Sequence, residues 1–129
     1  MKIDHIGYLV KNIDKAIKQF EGLGFSLCSS ITHDEIRKTD ICFMKNDCYK
    51  IELISPYSEE SVVTNLIKIY KNSPYHICYK SINIDSDISE LEKNGFLIIQ
   101  GKQPAPAFNN KNVVFLFSSR IGIIELVEE

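Results

Sequence analysis

A chain of 129 residues, 44 % hydrophobic and 25 % charged, has the size and composition of one compact soluble domain or two small halves sharing a core. Its 15 basic and 17 acidic residues leave a net charge of −2, so nothing in the balance points to nucleic acid or an anionic membrane as partner. No apolar run approaches the roughly 20 residues of a membrane span. Asp4 and His5 interrupt the N-terminal apolar stretch too early for a secretory leader, and a cytoplasmic protein is expected.

Residues 3–10 are rich in Ile, Tyr, Leu and Val and predict a strand. Asn12 then stands where a helix cap belongs, and Ile13, Ala16, Ile17, Phe20 and Leu23 follow at helical spacing until Gly24 stops them. Strands are predicted near 25–31, 39–45 and 49–55, completing a βαβββ unit. Pro56 and Pro74 bound a linking segment over 56–74. There Val62, Val63, Leu66, Ile69 and Tyr70 predict the apolar stripe of a helix. A second unit follows: strand 75–82, helix 84–94 stopped by Gly95, and strands near 96–100, 112–118 and 122–128. The loop 102–112 carries two prolines, Phe108, Lys102 and Lys111, and is a candidate cover for a cleft. None of the four cysteines forms a C-x-x-C pair, so a zinc ribbon is not expected. Cys28, Cys42 and Cys78, within apolar stretches, read as reduced core thiols.

The second unit repeats the first. With His5 set over His76 (76 − 5 = 71), identities fall at His5/His76, Ile6/Ile77, Tyr8/Tyr79, Asn12/Asn83, Ile13/Ile84, Asp14/Asp85, Ile17/Ile88, Glu21/Glu92, Gly24/Gly95 and Phe25/Phe96. These ten matches lie within 23 gapless positions, where ordinary composition gives about one or two by chance. Ile51–Ile54 lie over Ile124–Val127, and Ile41–Met44 over Val114–Phe117, at an offset of 125 − 52 = 73. The expectation is an α+β single domain over 1–129, with module 1–55, linking helix 56–74 and module 75–129. Its two tandem βαβββ modules form a cupped, incomplete mixed β-barrel. A module near 60 residues has a marginal core alone, and two together bury a continuous one.

The repeat places a histidine early in each first strand and a glutamate in each last strand. Side chains alternate across a strand, so Glu52 points away from Ile51 and Leu53, and Glu125 away from Ile124 and Leu126. That other face is solvent in an ordinary half-buried sheet and the interior in a curled one. A lone strand glutamate usually faces water and a lone histidine is usually packed or exposed. Duplication changes the weighing: two imidazoles and two carboxylates around a pseudo-twofold axis suit one divalent ion such as Zn, Ni, Co, Mn or Fe. The metal ligands predicted are His5, Glu52, His76 and Glu125. His33 has no repeat partner and reads as a surface residue of a polar loop. Arg37, Lys38 and Arg120 are candidate anion contacts at strand ends that more often face water.

Paired βαβββ modules with the order His, Glu, His, Glu resemble the vicinal-oxygen-chelate superfamily. The resemblance covers nearly the whole chain, through D-H-I-G-Y-L-V-K-N-I-D-K-A-I, P-Y-H-I-C-Y and G-I-I-E-L-V-E. It is closest to the branch of small glyoxalase I enzymes (lactoylglutathione lyases) and methylmalonyl-CoA epimerases. It implies a metal-dependent isomerase or lyase of glyoxalase I type, which abstracts a proton next to a carbonyl while one divalent ion (Ni, Zn, Co or Mn) stabilises the enediolate. The alternatives are thioester epimerisation and, with no catalysis, small-ligand or drug binding on the same fold. Glu125 is the expected base, with Glu52 its pseudosymmetric partner. Asp40 falls near a second carboxylate suggested for the epimerases. Leu9 and Pro56 stand near places where glutathione-using members carry Arg and Asn, and Glu52 stands where epimerases often carry Gln. Residues 103–110 replace the epimerases' glycine-rich loop. The implied partners are a small carbonyl or thioester substrate and a second copy in a homodimer.

Overall fold

The computed structural model describes all 129 residues. The protein is α+β, with nine strands, three α-helices and one short 3₁₀ turn. By contact density the chain divides into two compact units, His5–Tyr75 and Met1–Asp4 with His76–Glu129. No helix is long and apolar enough to cross a membrane.

The first module, with the helix that follows it, contains β1 (Lys2–Leu9), α1 (Ile13–Gly22), β2 (Ser26–Leu27), β3 (Thr32–Asp34), β4 (Thr39–Asn46), β5 (Tyr49–Pro56) and α2 (Thr64–Tyr70). Its strands run in the order β2-β4-β5-β1, with β3 also on β4. β5 pairs antiparallel with β4 and parallel with β1. The second module repeats this with β6 (Ser73–Ser81), α3 (Ile84–Lys93), β7 (Leu97–Ala105), β8 (Lys111–Ser118) and β9 (Gly122–Glu128), in the order β6-β9-β8-β7.

The same local chemistry sets both first helices. Asn12 accepts a hydrogen bond from the Lys15 N–H at 3.0 Å, and Asn83 one from the Ser86 N–H at 3.1 Å. At the other end Gly24 and Gly95 take positive φ of 94° and 89°. Phe25 N–H then reaches back to the Phe20 carbonyl and Gly24 N–H to that of Glu21, and Phe96 and Gly95 do the same to Leu91 and Glu92. Both ends are Schellman motifs, which explains glycine at each. Under α1, Val10, Ile13, Ile17, Cys42, Met44, Ile51 and Leu53 form one core. Under α3, Ile84, Val114, Leu116, Ile124 and Leu126 form another.

Four expectations need correction. The strand expected at 25–31 is only Ser26–Leu27; the ladder breaks where the Ser29 hydroxyl accepts the Phe43 N–H at 2.9 Å, and pairing resumes with β3. The linking helix is seven residues, because Ser58 and Ser61 first hold a turn: Thr64 Oγ1 donates to the Ser58 carbonyl and Val63 N–H to Ser61 Oγ. Its buried residues are Thr64 and Ile67, with Val63 just ahead of it, while Val62, Ile69 and Tyr70 lie exposed. The expected loop 102–112 is largely strand: β7 runs to Ala105 through two bulges, a 3₁₀ turn takes Pro106–Phe108, and β8 begins at Lys111.

The fourth correction concerns the repeat itself. The β4–β5 ladder pairs Phe43 with Glu52, and the β8–β9 ladder pairs Phe115 with Glu125. Phe43 therefore corresponds to Phe115, an offset of 115 − 43 = 72, one residue from the alignment read in the sequence. The extra residue sits in the hairpin. Asn46 pairs with Tyr49 across two residues, whereas Ser118 pairs with Gly122 across three, with Gly122 at positive φ.

Candidate metal centre

In each module one strand alternation separates core from chemistry. Ile51 and Leu53 face α1, so Glu52 faces the other way, together with Phe43 of β4 and His5, Gly7 and Leu9 of β1. That second face is also covered: His5 and Glu52 are 1 % and 3 % exposed. The pair is in contact, His5 Nε2 to Glu52 Oε2 being 3.2 Å. The Phe43 ring stands edge-on to His5, centroids 5.4 Å apart at 74°. Lys50, two residues before Glu52, lays its ammonium over the Phe43 ring at 4.6 Å.

The second module reproduces the arrangement. Glu125 lies opposite Ile124 and Leu126, and His76 Nε2 lies 3.1 Å from Glu125 Oε2. Both residues are 3 % exposed. Phe115 stands edge-on to His76 at 5.3 Å and 86°. The neighbours differ, with Cys78 where module 1 has Gly7 and Ile123 where it has Lys50. Cys78 packs with Ala105, Val113 and Val127.

The donor chemistry can be tested against a divalent ion. Two ligands bound to one ion at about 2.0–2.2 Å, at angles between a right angle and tetrahedral, stand about 2.8–3.6 Å apart. Both N···O separations fall in that interval. An imidazole and a carboxylate withdrawn from water are costly to bury unless they share a partner or a charge between them, and a cation satisfies both. Each module therefore supplies a pair suited to a metal.

The two phenylalanines were missed from the sequence as site residues. The signal was present: moving the β4/β8 alignment by one residue puts Phe43 over Phe115. The other residues singled out are placed as follows. Asp40 lies on the strand face of Cys42 and Met44, not that of Phe43 and Glu52, and pairs across β4–β5 with Ser55. Its carboxylate meets His33 Nδ1 at 2.7 Å, and the His33 ring stacks on Tyr57 at 4.0 Å. His33 is exposed, but it belongs to β3 rather than a loop and has a partner. Arg37 does not face water. It is buried against Asp34, Nη1 to Oδ2 being 3.0 Å, and carries a turn through its carbonyl, which accepts from Val62 and Ser61. Lys38 is paired with Glu60, while Arg120 is exposed. Lys102 is held by Asp85 at 2.7 Å, which pushes its ammonium pKa up. Of the thiols read as core, Cys42 and Cys78 are buried and Cys28 is exposed. Burial pushes the Cys42 thiol up to about 12.

A duplicated βαβββ unit with a buried His–Glu pair in each copy defines a class of fold with a candidate metal site. The chain belongs to the glyoxalase/bleomycin resistance protein/dioxygenase superfamily, whose family model matches residues 4–115. Among solved structures it is similar to the hypothetical protein BH1468 from Bacillus halodurans C-125, with 30 % identity, TM-score 0.86, and coverage of 99 % of this chain and 94 % of that one. It also shares its fold with methylmalonyl-CoA epimerase from Mycobacterium tuberculosis, at 20 % identity and TM-score 0.83, over 98 % of this chain and 87 % of that one. A Streptomyces coelicolor methylmalonyl-CoA epimerase in complex with 2-nitronate-propionyl-CoA matches at 19 % identity and TM-score 0.83, over 100 % and 97 %. No curated protein matches the chain.

Proposed function

We propose that the chain is a metal-dependent enzyme of glyoxalase I type, an isomerase or lyase that moves a proton on carbon next to a carbonyl. In this reading His5, Glu52, His76 and Glu125 hold one divalent ion. The observation that carries it is the duplication of a buried His–Glu pair, with N···O separations of 3.2 and 3.1 Å. The match of the glyoxalase/bleomycin resistance protein/dioxygenase family model to residues 4–115 supports it.

A bound divalent ion there supplies a Lewis acid for the negative charge that develops on the substrate's oxygen. The rest falls to the chain's own groups. Glu125 takes the carbon-bound proton and returns it to the neighbouring atom. Phe43 and Phe115 fix the two imidazole rings edge-on and exclude water from them, which keeps each Nε2 directed at its glutamate. Asp40 is not needed for this reaction, since its carboxylate is engaged by His33.

Thioester epimerisation on the same residues is the second reading. On its side stands the presence of two buried carboxylates, one per module: a proton can leave one side of a planar carbanion and return on the other. The substrate in either case is a small carbonyl compound or thioester. We further propose a homodimer, which light scattering checks; a monodisperse monomer at high concentration removes that claim and leaves the site intact.

The test joins metal content to solvent-deuterium exchange. Purified protein is analysed for bound divalent metal, then screened with methylglyoxal–thiol adducts and acyl-CoA thioesters. Near-stoichiometric metal and exchange with a thiol adduct support the glyoxalase reading, whereas exchange confined to acyl-CoA substrates replaces it with the epimerase. Binding of small apolar ligands without metal or exchange makes the chain a non-enzymatic member and overturns both.

A further inference from the structure

The two modules differ at the position two residues after each histidine, which is Gly7 in one and Cys78 in the other. Alternation along β6 puts Cys78 on the same side as His76. The parallel β6–β9 ladder sets Cys78 directly beside Glu125. The thiol is buried, and its sulfur and a carboxylate oxygen of Glu125 lie within 4.8 Å of each other. Three different donor types thus occupy one face of two adjacent strands: imidazole, carboxylate and thiol. In module 1 the corresponding residue, Gly7, pairs with Glu52 and brings no side chain. The other buried cysteine, Cys42, lies on the opposite face of its sheet, under α1.

We infer that Cys78 is a further metal ligand, a soft donor beside Glu125. This rests on the metal reading given above. Zinc or cobalt binds thiolate sulfur at about 2.3 Å and carboxylate oxygen at about 2.0–2.2 Å, so two such ligands at ordinary angles stand about 3–4 Å apart. Two consequences follow. A thiolate selects thiophilic ions, zinc and cobalt, over magnesium and manganese. It also leaves a second donor beside Glu125 while that carboxylate is engaged with a proton, which the glycine in module 1 does not provide.

Cobalt(II) reports this directly. Apo-protein is titrated with cobalt chloride, and the spectrum is followed in two windows: the visible d–d bands of bound cobalt, and the near-ultraviolet sulfur-to-cobalt charge-transfer band. The native chain should show both. Cys78→Ser and Cys78→Ala, checked for native far-ultraviolet circular dichroism, should keep the d–d bands and lose the charge-transfer band. Cys42→Ala should keep both. In competition dialysis the Cys78 variants should also lose the native preference for zinc over manganese. Visible d–d bands without a charge-transfer band in the native chain overturn the inference and leave the metal reading standing. So does a charge-transfer band that survives in Cys78→Ala. No cobalt spectrum at all overturns the metal reading and the inference with it.

Discussion

Module 1 sets Gly7 and Lys50 around its buried His5–Glu52 pair, and module 2 sets Cys78 and Ile123 at the same two positions around His76–Glu125. The pairs are nearly superimposable as chemistry, down to the edge-on phenylalanine beside each imidazole. Their surroundings are not. In module 1 the Lys50 ammonium lies over the Phe43 ring, where module 2 has the apolar Ile123. Duplication has thus preserved two equivalent His–Glu pairs while only one of them has a thiol beside its glutamate. The proposed base, Glu125, lies in the module that carries the thiol.

The largest expected effect tests that asymmetry. Glu125→Gln keeps the size and one coordinating oxygen but removes the basic carboxylate. Turnover on the substrate found by deuterium exchange should fall about 10²–10⁴-fold, the contribution of a positioned proton-transfer group. Glu52→Gln should cost less, and both should retain most of their metal by elemental analysis. The reverse order would move the base to module 1. His5→Ala and His76→Ala should lose metal and turnover together. Asp40→Asn should leave turnover nearly unchanged; a substantial loss with metal retained would restore Asp40 to a two-base relay.

Next in size is the packing of the two cores. Leu53 and Leu126 occupy equivalent strand positions and both are 0 % exposed. Truncation to alanine should destabilise the fold by about 2–5 kcal/mol at each site, through lost burial and the cavity left behind. Urea denaturation of the two variants measures it. A value under 1 kcal/mol at one site alone would show that its core collapses around the gap, so that the modules are not equivalent in packing.

Much of this was legible in the sequence, for identifiable reasons. The helices, their asparagine caps and their glycine stops were readable because capping is local and was written twice. The His and Glu positions were readable because alternation of one polar residue between apolar ones survives in both copies. The β4/β8 register was not, since an inserted hairpin residue and continuous burial of Ile41 to Met44 erase the alternation that would have set it. The linking helix was overestimated because apolar spacing says nothing of serine hydroxyls competing for the backbone at its start. Arg37 and Asp34 were unreadable as a buried pair, because only tertiary packing removes such a pair from water.

A third contrast lies between a buried thiol and two exposed ones. Cys42 sits under α1 with its thiol pushed up to about 12 by burial, against 9.0 in the unfolded chain. Because the folded state holds the proton more tightly, the stabilisation is complete below pH 9 and is lost as pH rises from 9 toward 12. Cys42→Val has no such proton to lose. The gap in stability between native chain and variant should therefore shift in favour of the variant across that range, measured by urea midpoints at pH 8 and at the highest pH at which the chain remains folded. A gap that stays constant would show that the thiol titrates alike in both states. In the folded protein at pH 8, Cys28 and Cys48 should react with a thiol reagent and Cys42 should not.

The smallest expected effect separates the two helices. Asn12→Ala and Asn83→Ala each remove a side-chain oxygen that accepts an N–H in the first turn, at 3.0 and 3.1 Å. Loss of such a cap costs about 1 kcal/mol. The helices differ in what remains. α1 keeps one acidic residue in its first turn, Asp14, whereas α3 keeps two, Asp85 and Asp87. Negative charge there complements the positive end of the helix and offsets part of the loss. Asp85, however, is committed to Lys102, and Asp87 receives the Ser81 hydroxyl, so neither is wholly available to the helix end. The part of their charge that still faces the helix end should nonetheless make the cost at Asn83 smaller than at Asn12, by a few tenths of a kcal/mol at low salt. The difference should shrink in high salt, where surface charge is screened. Urea denaturation of both variants at two ionic strengths measures it. Equal costs at low salt would mean that the acidic first turn of α3 contributes nothing beyond its own ion pair.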